Sequence, residues 1–212
     1  MRIKIDIPDV PLDPIFPHRF MRRLFLGERP SAYTKFSLIE SMIRIIEHAS
    51  FEYMQGKYVS ENLWMDEDRR FINLHAHLYA SSCFENCIGD VHRTICHVNS
   101  IRGRQTIFPE ARNILPRSLP IYKASLRDQI RDLRRLIQHK EDRILVGEIV
   151  EGEAFMANLT GPEILTSDNN TLKILDRIEL GAHSIRCATL SQALIQLREC
   201  ADVLVIHEYD SP

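Results

Sequence analysis

Arginine and histidine side chains are concentrated in the segment IRDLRRLIQHKED, residues 130–142. Histidine can take up or release a proton near neutral pH, and a planar guanidinium group matches the oxygens of a phosphate. Metal-independent cleavage of RNA needs little more than a proton-transfer group and a cation beside the phosphate. The segment is therefore the best candidate site in the chain, with His139 as a candidate general acid or base and its arginines as candidate phosphate ligands.

The spacing of these residues predicts a helix over 118–139, with Ser118 as N-cap, Pro120 in the first turn and His139 in the last. On an ideal helix, Arg134 and His139 point about 140 degrees apart. They converge only if the helix loosens at Gln138, or if a second subunit completes the site. Arg135, four residues before the histidine, shares its face directly.

The predicted helix is strongly amphipathic. Arg127, Arg131 and Arg135 lie on its polar face, where they could contact RNA backbone. The opposite face is apolar and is expected to pack in the core: Leu126, Ile130, Leu133, Leu136 and Ile137. The alternative is a solvated face, on which the arginines pair with nearby acids at about 0 to 1 kcal/mol for each pair.

The segment resembles the signature of the HEPN family of small helical-bundle proteins, a helix with the pattern R-x4–6-H. Arg134 matches the motif arginine and His139 the motif histidine, while Arg135 stands where the family usually has Asn or another polar residue. The resemblance covers residues 34–144 at most. It implies a metal-independent endoribonuclease or an RNA-binding relative, often homodimeric, with two motifs facing each other. In an active enzyme of this type, Arg134 would hold the scissile phosphate and His139 would be the general acid or base. Many such proteins belong to toxin–antitoxin or phage-defence systems, so an antitoxin or other protein is a second expected partner.

The remaining elements are expected to position this helix. Apolar residues at helical spacing predict helices over 34–55, ending near Gly56, and over 66–100, where Gly89 could bend the chain. Shorter periodicity predicts strands after residue 145, followed by a helix that Thr189 and Gln192 would cap and that could end in a VLVIH strand. The predicted fold is mostly α, a HEPN-like helical bundle with a small C-terminal α+β extension of short strands and one helix.

The predicted chain has three segments. Residues 1–33 form a proline-rich N-terminal arm with IKIDI as a short strand, residues 34–144 form the helical bundle, and residues 145–212 form an acidic extension. The extension holds 4 Lys/Arg and 11 Asp/Glu, whereas the rest of the chain holds 23 and 18. This asymmetry is compatible with an anionic partner for the basic body, with an extension that docks on it, or with an uneven surface charge that has no partner.

Other chemistry has less support. His75, His77, Cys83, Cys87, His92, Cys96 and His97 are metal-ligand types, but their spacing does not place them on one helix face, so no metal site and no cofactor are predicted. The odd number of cysteines, the absence of an 18-residue apolar run and a charged N-terminus favour a cytoplasmic protein with reduced thiols and no membrane contact.

Two other hypotheses remain open at the level of sequence. The first is a non-catalytic scaffold on the same bundle, whose basic face binds RNA or an acidic protein segment. The second is an antitoxin-like or sensor protein in which residues 145–212 bind a partner. Further Arg–His pairs at similar spacing, such as Arg70–His75 and Arg177–His183, compete with the main motif.

Overall fold

The fold is described by a computed structural model over residues 2–15, 33–63, 73–104, 106–147, 156–167 and 170–209. In these ranges the helices are α1 (Tyr33–Asn62), α2 (Leu74–Gly103), α3 (Ala111–Ile114), α4 (Ala124–Leu145) and α5 (Cys187–Tyr209). The strands are β1 (Arg2–Ile5), β2 (Asn158–Thr160), β3 (Glu163–Leu165), β4 (Thr171–Leu175), β5 (Arg177–Leu180) and β6 (His183–Arg186). The mostly α fold class with a small set of short strands is confirmed.

Helices α1 and α2 pack along each other as a long hairpin. The apolar positions at helical spacing are buried as expected, including Ile43 and Ile46 on α1 and Val91 and Ile95 on α2. Leu74 and Leu78 are exceptions, because both side chains are exposed near the start of α2. The hairpin supplies the surface on which α4 and α5 pack.

The predicted ends of this hairpin were wrong. Helix α1 does not stop at Gly56 but continues to Asn62, because Gly56 is a packing position: a Cβ there would lie 2.9 Å from two ring carbons of Phe84. Helix α2 starts at Leu74 with Asn73 as N-cap, whose side chain accepts a hydrogen bond from the amide of Ala76. Residues 66–72 of the predicted helix lie outside the described ranges, and α2 passes through Gly89 without a break.

Helix α4 begins and ends later than expected. Pro120–Tyr122 forms a separate 3-10 turn, so Ser118 is not the cap, and α4 starts after Lys123. The helix then runs past His139 to Leu145, but the backbone at His139 itself is non-helical, with φ −108° and ψ 15°. The helix is therefore interrupted at His139, one residue after Gln138, and His139 lies at a kink rather than in the last turn.

The strands form two small sheets. In one, β4 lies between β1, which pairs parallel to it, and β3, which pairs antiparallel. In the other, β5 lies between β2 and β6, both antiparallel to it. The predicted IKIDI strand is confirmed, and it joins the N-terminal arm to the C-terminal extension through the pairing of Ile3 with Lys173. Residues 16–32 and 148–155 lie outside the described ranges.

Helix α5 packs against α1 through the predicted apolar stripe, of which Leu194 and Leu197 are fully buried. It starts at Cys187, so Thr189 and Gln192 lie inside the helix and do not cap it. The expected VLVIH strand is wrong, because these residues continue the helix to Tyr209. One hydrophobic cluster joins residues of the arm, the hairpin, α4, the strands and α5.

Glu85 on α2 links α4 to the start of β2. One carboxylate oxygen lies 3.0 Å from the ammonium group of Lys140, and the other accepts a hydrogen bond of 3.0 Å from the backbone amide of Ala157. The Glu85 side chain is 12% exposed, so both interactions lie at the edge of the core. This contact holds the part of α4 after the kink against α2.

Candidate functional site

The kink in α4 borders a surface groove of about 570 Å3, hereafter the His139 groove. Nδ1 of His139 lies 3.2 Å from Oδ2 of Asp142, within hydrogen-bond reach, and the histidine side chain is 56% exposed. The groove is lined by Asp132, Arg135, Leu136, His139, Asp142, Arg143, Val146 and His183. The groove therefore combines two imidazole rings, two guanidinium groups and two carboxylates on one solvent-accessible surface.

The two members of the predicted motif are separated within one chain. Arg135, not Arg134, lines the groove with His139, in agreement with their i, i+4 relation. Arg134 is instead near His92 on α2, whose pKa its positive charge helps to lower. The assignment of Arg134 to the phosphate stays a prediction. Within a single chain, Arg135 lines the groove in its place.

The remaining predicted RNA-binding residues, Arg127 and Arg131, are exposed on α4 as expected. Their charge is partly balanced by neighbouring acids: the Arg131 guanidinium lies 3.0 Å from Asp128 and 3.2 Å from Asp132. Arg127 lies 3.9 Å from Asp128. The polar face of α4 is thus mixed in charge rather than uniformly basic, which weakens its attraction for a polyanion.

His92 offers a direct test of where Arg134 lies. Burial lowers the pKa of His92 from 6.5, and the nearby charges of Arg134 and Arg131 lower it further. Arg134→Ala should therefore raise the pKa of His92, and a histidine NMR titration measures it. Arg127→Ala is the matched control and should leave it unchanged, whereas an unchanged value in Arg134→Ala would contradict the described position of Arg134.

The same shift affects stability. Because the folded state holds His92 with a pKa below 6.5, the unfolded chain takes up this proton first as the pH falls. The contribution of His92 therefore makes the free energy of unfolding smaller as the pH falls below about 6.5. In Arg134→Ala this loss of stability should be smaller, because the pKa of His92 lies closer to its ordinary value.

A second titratable cluster joins α1 to α2. Asp90 is buried, and its carboxylate lies 2.6 Å from Nδ1 of His48 and accepts a hydrogen bond from Arg93. The other ring nitrogen of His48 lies 3.5 Å from Glu52. His48 therefore links the two helices through its contact with Asp90.

The four buried cysteines are poor nucleophiles. Burial raises the pKa of Cys83 and of Cys187 to about 12, that of Cys200 to about 11, and that of Cys87 well above its ordinary value. These thiols stay protonated at neutral pH and react slowly. Cys96 is exposed, with its sulfur 3.8 Å from Nδ1 of His92.

Among the described residues, no three His, Cys, Asp or Glu side chains converge as metal ligands. A smaller groove of about 310 Å3 between the start of α4 and α5 is lined by Lys123, Gln129, Gln192 and Gln196 with four other residues, none of them histidine or acidic. The His139 groove therefore combines acid–base and cationic groups in a way that the smaller groove does not.

Sequence reasoning missed two residues of this groove, Arg143 and His183. Arg143 lies four residues after His139 and could have been found if the helix had been extended past the charged KED run. His183 is distant in sequence and appeared only in a competing Arg–His pair.

No helix in the described parts of the chain combines the length and apolar character required to cross a membrane.

No family model, no curated protein and no solved structure shows a significant match to this chain.

Proposed function

We propose that the protein is a metal-independent endoribonuclease of HEPN type, with the His139 groove as its active site. The observation that carries the proposal is the kink in α4, which borders a groove where His139 and Arg135 lie together. Histidine provides proton transfer, and arginine stabilises the charge that develops on the phosphate. Asp142, 3.2 Å from Nδ1, can orient the ring so that Nε2 exchanges the proton.

Among the described residues, the arginines that line this groove are Arg135 and Arg143. Arg134, the motif arginine, would act there only if a second copy placed its α4 across the groove, as the resemblance to homodimeric HEPN proteins implies. A role in a toxin–antitoxin or phage-defence system is part of the same proposal and rests on that resemblance.

The test is incubation of the purified protein with total RNA and with a tRNA pool, in EDTA, beside an Arg134→Ala/His139→Ala double variant. We expect cleavage by the parent protein and none by the double variant. Cleavage by both would place the activity elsewhere, or in a contaminant, and remove the site assignment. Absence of cleavage by the parent would leave the second candidate below.

The second candidate is a non-catalytic scaffold that binds RNA or protein through the same bundle. The mixed charge on α4 favours a protein over RNA as the partner of such a scaffold, since Arg131 lies between Asp128 and Asp132 and is less available to a phosphate backbone. In such a protein the His139 ring would have no part in binding. The parent and the His139→Ala variant would therefore bind RNA, or an acidic protein segment, with equal affinity.

A further inference from the structure

The His139 groove contains a second histidine, contributed by the C-terminal extension. His183 is the first residue of β6 and lines the groove together with His139. We propose that His183 is a catalytic residue of this site, the general acid that protonates the leaving 5′-oxygen, while His139 acts as the base. This inference rests on the proposed ribonuclease function and gives the extension a direct part in it.

The local backbone explains why His183 is in this place. Leu180 and His183 are paired across β5 and β6, so Gly181 and Ala182 form a two-residue hairpin turn. Gly181 has a φ of 58°, the left-handed conformation that such turns need at their first central position and that glycine adopts without strain. The turn thus sets the register of β6 and the position of its first side chain.

Alternation along β6 then directs His183 toward the bundle. Side chains two residues apart share a face of a strand, and Ile185 on the same face as His183 is buried. Strand β6 packs against α4. His183 lies at the end of the strand, beyond the buried part of that face, and remains exposed at the groove.

The charged groups around the two rings suit a phosphodiester. Arg135 and Arg143 come from α4 on the same side as His139, while Asp132 and Asp142 also line the groove. Asp142 faces His139, 3.2 Å from its ring nitrogen, and can support the positive charge that a general base acquires. His183 enters from β6, a separate element, so the two imidazoles can address opposite sides of one phosphate.

The proposed step is an internal transphosphorylation in which atoms and charges balance. Neutral His139 removes the proton of the 2′-hydroxyl, and the 2′-oxygen forms a bond to phosphorus. The bond between phosphorus and the 5′-oxygen breaks, and protonated His183 donates its proton to that oxygen. The products are a 2′,3′-cyclic phosphate and a 5′-hydroxyl, with no oxidant, reductant or metal consumed.

The experiment compares two substrates that differ only in their leaving group. Uridylyl-3′,5′-adenosine has an alkoxide leaving group that needs a general acid, whereas uridine 3′-(4-nitrophenyl phosphate) releases a stable phenolate that does not. His183→Ala should lower kcat on the dinucleotide about 10²- to 10⁴-fold and leave kcat on the nitrophenyl ester nearly unchanged. His139→Ala should lower kcat on both substrates.

Ser184→Ala is the matched control, because Ser184 is the exposed neighbour on the opposite face of the same strand, and it should change neither rate. His183→Gln keeps a polar side chain and should reproduce the defect of His183→Ala. An equal loss on both substrates, or no loss on either, would overturn the assignment of His183 while leaving His139 and the ribonuclease function intact. If the parent protein cleaves neither substrate nor RNA, both proposals fail together.

Discussion

Replacing His139 with alanine should lower RNA cleavage about 10²- to 10⁴-fold, the range expected when a general acid or base is removed. The side chain is 56% exposed and lies at a kink, so its loss should change the free energy of unfolding by no more than about 0.5 kcal/mol. Cleavage kinetics on a defined RNA, with urea unfolding of the same preparations, measure both quantities.

Gln138→Ala is the control for this substitution, since Gln138 is the exposed residue immediately before the kink and should be dispensable. Single substitutions of the two neighbouring arginines then separate their roles. If the groove of one chain acts alone, Arg135→Ala should lower kcat/KM more than Arg134→Ala. The reverse order would indicate that a second copy contributes Arg134. Unchanged cleavage by His139→Ala would remove the groove as the active site.

Replacing Gly56 with alanine should destabilise the fold by about 1–3 kcal/mol, the usual cost of overpacking. Alanine favours a helix by up to about 1 kcal/mol relative to glycine. Here that gain is exceeded, because the new Cβ would lie 2.9 Å from the Phe84 ring. The ring cannot move away easily: it is 1% exposed and packs edge-on against Tyr53, with ring centroids 6.2 Å apart.

Gly89→Ala provides the matched control on the facing helix. A Cβ at Gly89 meets nothing within 4 Å, so this variant should be neutral or more stable by up to about 1 kcal/mol. A double-mutant cycle with Phe84→Leu should show that the penalty at Gly56 shrinks when the ring is removed. If Gly56→Ala stabilised the protein as Gly89→Ala does, α1 and α2 would not approach each other as closely as described.

The sequence by itself determined the four long helices and most of their buried positions, although not the short α3 and not the exposure of Leu74 and Leu78. The spacing of Ile43 and Ile46, of Ile130 and Leu133, and of Leu194 and Leu197 follows the period of an α-helix, and all of these residues are in the core. The strands that follow Thr171 were also predictable, because their short alternating runs are separated by turn residues. These properties depend on residues close together in the chain.

Helix ends depended on tertiary contacts and were predicted poorly. A glycine at the end of an apolar helical pattern predicts the end of a helix, yet α1 continues through Gly56. Gly56 is instead a contact position, because the Phe84 ring occupies the space that a Cβ would need. The charged run after His139 looks like a helix end, yet α4 continues, and Lys140 pairs with Glu85 on another helix. In each instance a residue distant in sequence decides the outcome.

The candidate site shows the same division. His139 and the arginines of α4 were identified from their chemistry and spacing alone. Helical spacing also placed Arg135, rather than Arg134, on the face of His139, and Arg135 lines the groove accordingly. Only the tertiary structure showed the kink at His139 and the packing of α4 on α2. Only the tertiary structure brought His183 and His139 to one groove. The two residues are far apart in the sequence, and the position of His183 depends on strand pairing and a two-residue turn, which no local sequence pattern connects to α4.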